Sequence, residues 1–385
     1  MSGWRFTVFL TIVLSIWGAM HAYVFSRLAA VPWVTQHISR RGIVILALVM
    51  WSSYPLVRFL EASPLQRFVW PLEYLAANWI GVLFLLLALV LALDVVTLGG
   101  FLFADRASVW RGWAALIALG LSAVAIAQAL RAPVVRDYEV SLPGLPRERD
   151  GLVMVAISDL HLGTLLRESW LEGIVQHVNT LKTDVVVVVG DLIDGNVDRV
   201  EPMVPLLQKL RAPLGVWAVT GNHEYYAGVE ESSRLFERAG FSVLRDRSAA
   251  IAPGLVLAGV DDLTARRQMG SPDQSITKAL SNRSEGAAIL LSHSPMQLES
   301  AATAGAGLVL CGHTHNGQIW PFNYLVGLNY EYVGGRNALS GMPVIVCRGT
   351  GTWGPRMRLW RPSEIVRITL HSAPAAQQIA ENRGM

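Results

Sequence analysis

The chain is short of charge. Of its 385 residues, 16% are Asp, Glu, Lys or Arg, against roughly 25% in soluble proteins. It is equally short of cysteine, with Cys311 and Cys347 as the only two. Neither lies in a Cys-x-x-Cys pair, which excludes a disulfide framework but leaves a single bridge open. Residues 1–131 contain no lysine at all: nine arginines face four acids (Glu61, Glu73, Asp94, Asp105), a balance of +5. The remainder holds 23 Lys plus Arg against 25 acids, a balance of −2, so the basic character belongs to the first third. Arginines flanking apolar runs point to a membrane and away from nucleic acid. Internal repeats and low-complexity tracts are also absent.

What the first third does contain is long apolar runs. A bilayer crossing needs about 20 such residues. Four runs qualify: Trp4 to Leu28, Gly42 to Leu60 (interrupted by Pro55), Asn78 to Phe103, and Trp113 to Leu130. Trp33, Trp70, Tyr74, Trp79 and Trp110 near their ends suit an interfacial belt. Three further runs after the first argue against a cleaved signal peptide. Asp94 reads as an end-of-helix residue near the interface. With the N-terminus inside, Arg5, Arg58, Arg67, Arg131, Arg136, Arg147 and Arg149 fall inside. Arg27, Arg40, Arg41, Arg106 and Arg111 fall outside. The excess, with the arginines just after the last run, favours a multi-pass inner-membrane protein with its C-terminal domain in the cytoplasm.

Residues 132–150 read as a linker with a first strand at YEVSL, and 371–385 as a tail. Between them, 151–370 alternates short β-branched runs with helical stretches. Near-continuous apolar strands imply sheets buried on both faces. The expected fold is an α/β two-sheet sandwich flanked by helices, behind an α-helical transmembrane domain of about four spans. The second half reads as mainly antiparallel, because helical stretches are scarce there.

Five strand ends carry metal-ligand side chains. LVMVAIS runs into Asp159 and His161, DVVVVVG into Asp191, LGVWAVT into Asn222 and His223, AAILLS into His293, and LVLCG into His313 and His315. Five of the nine histidines fall at these ends. His21, His37, His177 and His371 read as interfacial, helix-surface or tail residues. In α/β sheets, sites form beyond the carboxyl ends of strands. Residues two apart on an extended segment point the same way, so Asp159 and His161 can grip one ion. Asp191, with two oxygens, is the natural bridge between two cations. Gly190, Gly221 and Gly312 stand before the ligands, where backbone must approach closely. Carboxylate, amide and imidazole donors suit Mn, Fe, Zn or Mg.

The succession SDLHLG, GDLIDG, GNHEYY, LSHSP and GHTHNGQ resembles the calcineurin-like metallophosphoesterase superfamily over residues 138 to about 370. The segment CRGTGTWGPRMRLWRPSEIVRITL looks like its membrane-associated bacterial branch. That branch includes phosphodiesterases of cell-envelope substrates and resembles the animal transmembrane protein with a metallophosphoesterase domain. The resemblance implies two divalent metal ions. One would take Asp159, His161, Asp191 and His315, the other Asp191, Asn222, His293 and His313. His223 would bind no metal and would act as proton donor beside the substrate.

The function then expected is hydrolysis of a phosphodiester or pyrophosphate bond, in a lipid-linked or nucleotide-sugar substrate, by hydroxide generated at the metals. Phosphomonoester or phosphoprotein hydrolysis is the alternative. A non-enzymatic scaffold fits less well, because every ligand position is filled. Asp194 and Glu224 neighbour ligands and are candidates to orient them. Arg348, Arg356 and Arg358 are either anion-binding or a solvated basic loop. Cys311 reads as a small buried strand residue.

Overall fold

The computed structural model describes residues 3–61, 63, 69–270 and 274–373. Most of the expected tail and Arg67 lie outside them. The chain divides into two compact units, residues 1–131 with 354–360, and 132–353 with 361–385.

The first unit holds α1 (Gly3–Leu28), α2 (Pro32–His37), α3 (Arg40–Glu61), α4 (Trp70–Val96) and α5 (Ala104–Ala129). Among the described residues, three helical stretches are long and apolar enough to cross a membrane: Arg40–Leu60, Trp70–Val96 and Ala104–Ala129. Two of the sequence boundaries shift. The run read as 78–103 is helical from Trp70 and stops at Val96, because Gly99 (φ 70°) and Gly100 (φ 94°) turn the chain. Helix α3 continues through Pro55.

Asp94 is near a helix end, as read, but it is buried and heavily partnered. It lies 2.7 Å from Arg111, 2.7 Å from Arg27 and 2.6 Å from the Tyr23 hydroxyl. His21 is not a surface residue. It is buried, and its Nε2 accepts a hydrogen bond from the Trp79 indole at 2.9 Å. Residues 354–360 complete this unit: the Arg358 amide donates to Ala125 O at 2.8 Å, and the Trp360 amide to Gln128 Oε1 at 3.0 Å. The Arg358 side chain is fully buried, so it is no part of a solvated basic loop.

The second unit begins with β1 (Val134–Leu142), β2 (Leu152–Ile157), α6 (Glu168–Thr180), β3 (Val185–Val189), α7 (Val204–Leu207), β4 (Val216–Val219), α8 (Asn222–Ala227) and α9 (Val229–Arg238). It continues with β5 (Ser242–Val243), β6 (Arg247–Ala252), β7 (Leu255–Gly259), α10 (Leu263–Met269), α11 (Ser275–Ser281), β8 (Ala287–Leu291), α12 (Leu298–Thr303), β9 (Leu308–Cys311), α13 (Phe322–Val326), β10 (Gly335–Leu339), β11 (Met342–Val346) and β12 (Glu364–Ser372). Two six-stranded sheets result, ordered β1-β12-β2-β3-β4-β5 and β10-β11-β9-β8-β7-β6.

Both sheets are mixed. The second is not mainly antiparallel: β7, β8, β9 and β11 run parallel, with antiparallel pairs only at β6·β7 and β10·β11. Its crossover helices are only six or seven residues long, too short for a 3.6-residue period to stand out in the sequence. Strand β3 shows why apolar runs are continuous. Val185, Val187 and Val189 pack between the sheets against Leu257, Ile289 and Leu310, while Val186 and Val188 pack outward against Leu171 and Ile174 of α6. Outside the second sheet, Leu290 and Val309 meet Ile276 and Leu280 of α11.

Asp94 leads to the first prediction. Replacing it with Ala leaves the buried Arg111 guanidinium without its carboxylate, at a cost of about 3–5 kcal/mol. Thermal unfolding of the detergent-solubilised protein should fall accordingly, and Asp94→Asn, which keeps hydrogen-bond acceptors, should fall less.

Candidate metal centre

The carboxyl ends of β2, β3, β4, β8 and β9 deliver every candidate ligand read from the sequence. Just beyond them the backbone is strained. Asp159 (φ 54°), His161 (48°), Asp191 (51°), His313 (71°) and His315 (50°) all adopt left-handed conformations. Such non-glycine residues cost free energy and persist where surroundings hold them. Asp159 and His161 therefore share a site through two left-handed turns, and not along an extended segment. Cross-strand hydrogen bonds fix the turns: Asp159 N to Gly190 O, and His161 N to Asp191 O, each 3.0 Å.

Among the described residues, two clusters of donor atoms are Asp159, His161 and His315, and Asp191, His293 and His313; a third joins His161 to Asp194 and His223. In the first, the Nε2 atoms of His161 and His315 face each other at 3.1 Å, and His315 Nε2 is 3.3 Å from Asp159 Oδ1. In the second, His293 Nε2 is 3.0 Å from Asp191 Oδ2, and His313 Nδ1 is 2.7 Å from Asn222 Oδ1. Asp191 Oδ2 also lies 3.8 Å from His161 Nε2, so one carboxylate reaches both clusters.

The donor set fits cations. Nδ1 of His293 donates to Val189 O at 2.7 Å, which turns its buried Nε2 toward the Asp191 carboxylate. Nε2 of His161 faces Nε2 of His315. Burial holds His161 down at about 4 and His313 at about 3, both neutral, and pushes the Asp159 carboxyl up to about 6. Lone pairs and carboxylates packed this closely away from water are favourable when a cation lies among them.

Surrounding groups lock the ligands. Glu224 accepts from the amides of Asp191 (2.9 Å), Ile193 (3.0 Å) and Gly221 (2.6 Å). Asp191 Oδ1 accepts from the His223 amide at 2.9 Å. Gly221 presses so close that a Cβ there would sit 2.2 Å from Asp191 Oδ1 and 2.6 Å from its amide.

His223 belongs to the third cluster, with His161 and Asp194. Its Nδ1 is 3.0 Å from Asp194 Oδ1, and its ring meets those of His161, Tyr226 and Trp353 edge-on. Burial alone would lower its pKa, but the carboxylates of Asp191 and Asp194 hold it up at about 9.

Residues 152–317 match the calcineurin-like phosphoesterase family. A metallophosphoesterase of Campylobacter jejuni is 31% identical over 95% of this chain and 98% of its own length. The chain belongs to the calcineurin-like metallophosphoesterases. A relative from Aquifex aeolicus is 36% identical, covering 61% of this chain and 91% of its own. The Danio rerio transmembrane protein with metallophosphoesterase domain is 36% identical over 68% and 62% respectively.

Some residues of this metallophosphoesterase site were not legible in the sequence. The Tyr330 hydroxyl lies 2.7 Å from His313 Nε2, yet sits in a loop with no motif. The Ser158 hydroxyl lies 2.5 Å from Asp159 Oδ2; its place directly before Asp159 in the sequence is the one available signal. Arg348 pairs with Glu364, at 2.9 Å through its amide and 3.6 Å through its guanidinium. Cys311 is a buried free thiol, as read, with its pKa pushed up by burial.

Gly221→Ala tests the close packing. Overpacking of this kind costs about 1–3 kcal/mol, and displacement of Asp191 should cut phosphoester hydrolysis at least ~10-fold. The two effects are read by thermal melting and by turnover at saturating Mn²⁺.

Proposed function

We propose that this protein is a membrane-tethered dinuclear-metal phosphoesterase that cleaves a phosphodiester or pyrophosphate bond in a lipid-linked or nucleotide-sugar substrate. The observation that carries this reading is Asp191, within reach of both donor clusters and hydrogen-bonded to the His223 amide. Asp159, His161, Asp191 and His315 would hold one divalent ion; Asp191, Asn222, His293 and His313 the other. Mn, Fe, Zn and Mg all accept such donors. When bound, two such ions lower the pKa of coordinated water and neutralise phosphoryl oxygens.

The chain's own residues supply the rest. His223 donates a proton to the leaving oxygen as the P–O bond breaks. Asp194 fixes the ring through Nδ1 and leaves Nε2 for the substrate. Glu224 holds the backbone of the Asp191 turn and thereby positions the shared carboxylate. Burial of the whole set strengthens each of these charge interactions.

In the tethering arrangement, α1 is a fourth span beside the three apolar helices, residues 151–370 form the catalytic domain, and that domain lies in the cytoplasm at the inner membrane. Tethering raises the local concentration of a bilayer substrate at the site. A phosphomonoesterase that uses its anchor only for localisation is the second reading.

Hydrolysis of bis-p-nitrophenyl phosphate against p-nitrophenyl phosphate, by detergent-solubilised protein with Mn²⁺, separates the two. Diester preference is expected, and Asp191→Ala should lose at least ~100-fold; monoester preference would sink the diester reading. A second prediction concerns pH. His223 must be protonated to act, so activity falls as pH rises through its pKa. Asp194→Asn removes a carboxylate that raises this pKa, so the basic limb of the pH–rate profile should move to lower pH, with turnover down ~10–100-fold. An unmoved limb would show that His223 is not the group being titrated.

A further inference from the structure

An apolar rim borders the metal centre, and the mechanism does not use it. A series of contacts traces it step by step. The rings of Tyr226 and Trp353 lie 5.4 and 5.8 Å from the His223 ring, yet both residues are more than half exposed. Trp353 is pinned to the turn that carries His313 and His315: Gln318 Nε2 donates to Trp353 O at 3.1 Å, and the Trp353 amide donates to Gln318 Oε1 at 3.0 Å. The same turn leads directly into α13. Gly317 and Asn323 approach so closely that a Cβ on Gly317 would lie 2.3 Å from Asn323 Cα. From α13 and the residue pair after it, Phe322, Tyr324, Leu325 and Leu328 are exposed by 42% to 80%.

A soluble face seldom leaves so many large apolar side chains open beside a catalytic group, and contiguous patches of this kind mark binding surfaces. The chemistry of the patch selects its occupant. Two aromatic rings alone would suit a planar base. Leu325 and Leu328 add aliphatic surface, which rewards methylene groups and gives a base little. The Trp353–Gln318 pair and the close approach of Gly317 to Asn323 link α13 to the wall beside His223, on the side where the group esterified to the phosphate would extend.

We infer that the rim formed by Tyr226, Trp353, Phe322, Tyr324, Leu325 and Leu328 binds an alkyl or acyl chain attached to the substrate phosphate. The inference rests on the phosphodiester reading above and names the lipid as its substrate class. It makes Leu325 and Leu328 specificity-determining residues, remote from the metals.

The test uses the full-length, Mn²⁺-loaded protein in phosphatidylcholine nanodiscs, titrated calorimetrically with methyl phosphate and with hexyl phosphate. Hexyl phosphate should bind roughly 30-fold more tightly, as when about half of the five added methylenes leave water. In the Leu325→Ser/Leu328→Ser double variant, which alters only exposed side chains, this ratio should collapse toward one. An equal ratio in wild type and variant would assign the gain to the bilayer and overturn the inference. So would tighter binding of adenosine monophosphate than of hexyl phosphate, which would make the rim a nucleobase site. Hydrolysis of p-nitrophenyl methyl and p-nitrophenyl hexyl phosphate separates the two levels. Chain-length-dependent binding without diester turnover would fail the phosphodiester reading and keep the rim. Diester turnover without chain-length dependence in either assay would do the reverse.

Discussion

The Asp191 carboxylate is the point on which the site depends. Its amide is held by Glu224, one oxygen accepts from the His223 backbone, and the other points at His293 and His161. These partners come from three different strand ends, those of β2, β4 and β8. A buried anion in this position is costly alone. It becomes favourable through the positive charge gathered around it, and the opposing effects are visible in its neighbours: burial works against ionising His293, yet Asp191 raises its pKa well above normal. The same carboxylate that gathers the ligands thus sets their protonation states.

Holding such a cluster requires a rigid frame. Five donors sit in left-handed backbone conformations, and loops alone seldom sustain that strain. Here the strain is placed two to four residues beyond strands that are buried on both faces. The β2·β3 and β3·β4 pairings are parallel and in register, so their ends lie level and present Asp159, Asp191 and Asn222 side by side. The second sheet answers with β8 and β9, also parallel, which bring in His293 and the His313–His315 turn. Two parallel cores meeting at one end give a crevice walled by donors from both sheets.

Much of this was legible because the ligand types stood directly after β-branched runs. Asp159, Asp191, Asn222, His293 and His313 each follow a strand by no more than three residues, and the ends of α/β strands are where sites form. The route by which side chains converge was less legible. Alternation along an extended segment was a reasonable guess for Asp159 and His161, and left-handed turns produced the same outcome. The parallel second sheet was hidden because α10, α11 and α12 are each too short to show a helical period. Tyr330 and Trp353 gave no signal, since their importance comes from tertiary proximity alone. In the helical unit, Asp94 was placed correctly near a helix end, but its partners Arg27 and Arg111 lie on other helices.

The helical unit also has a consequence for the order of synthesis. Residues 354–360 belong to it, with Met357, Arg358 and Leu359 all buried. They are translated more than 200 residues after α5 ends at Ala129. Domains ordinarily complete themselves from the N-terminus as they emerge from the ribosome. This unit cannot: its helices must wait, with the place of Arg358 unfilled, until nearly all of the phosphoesterase unit has been made. A ribosome that stops anywhere before residue 354 leaves behind a helical unit that lacks one of its own parts.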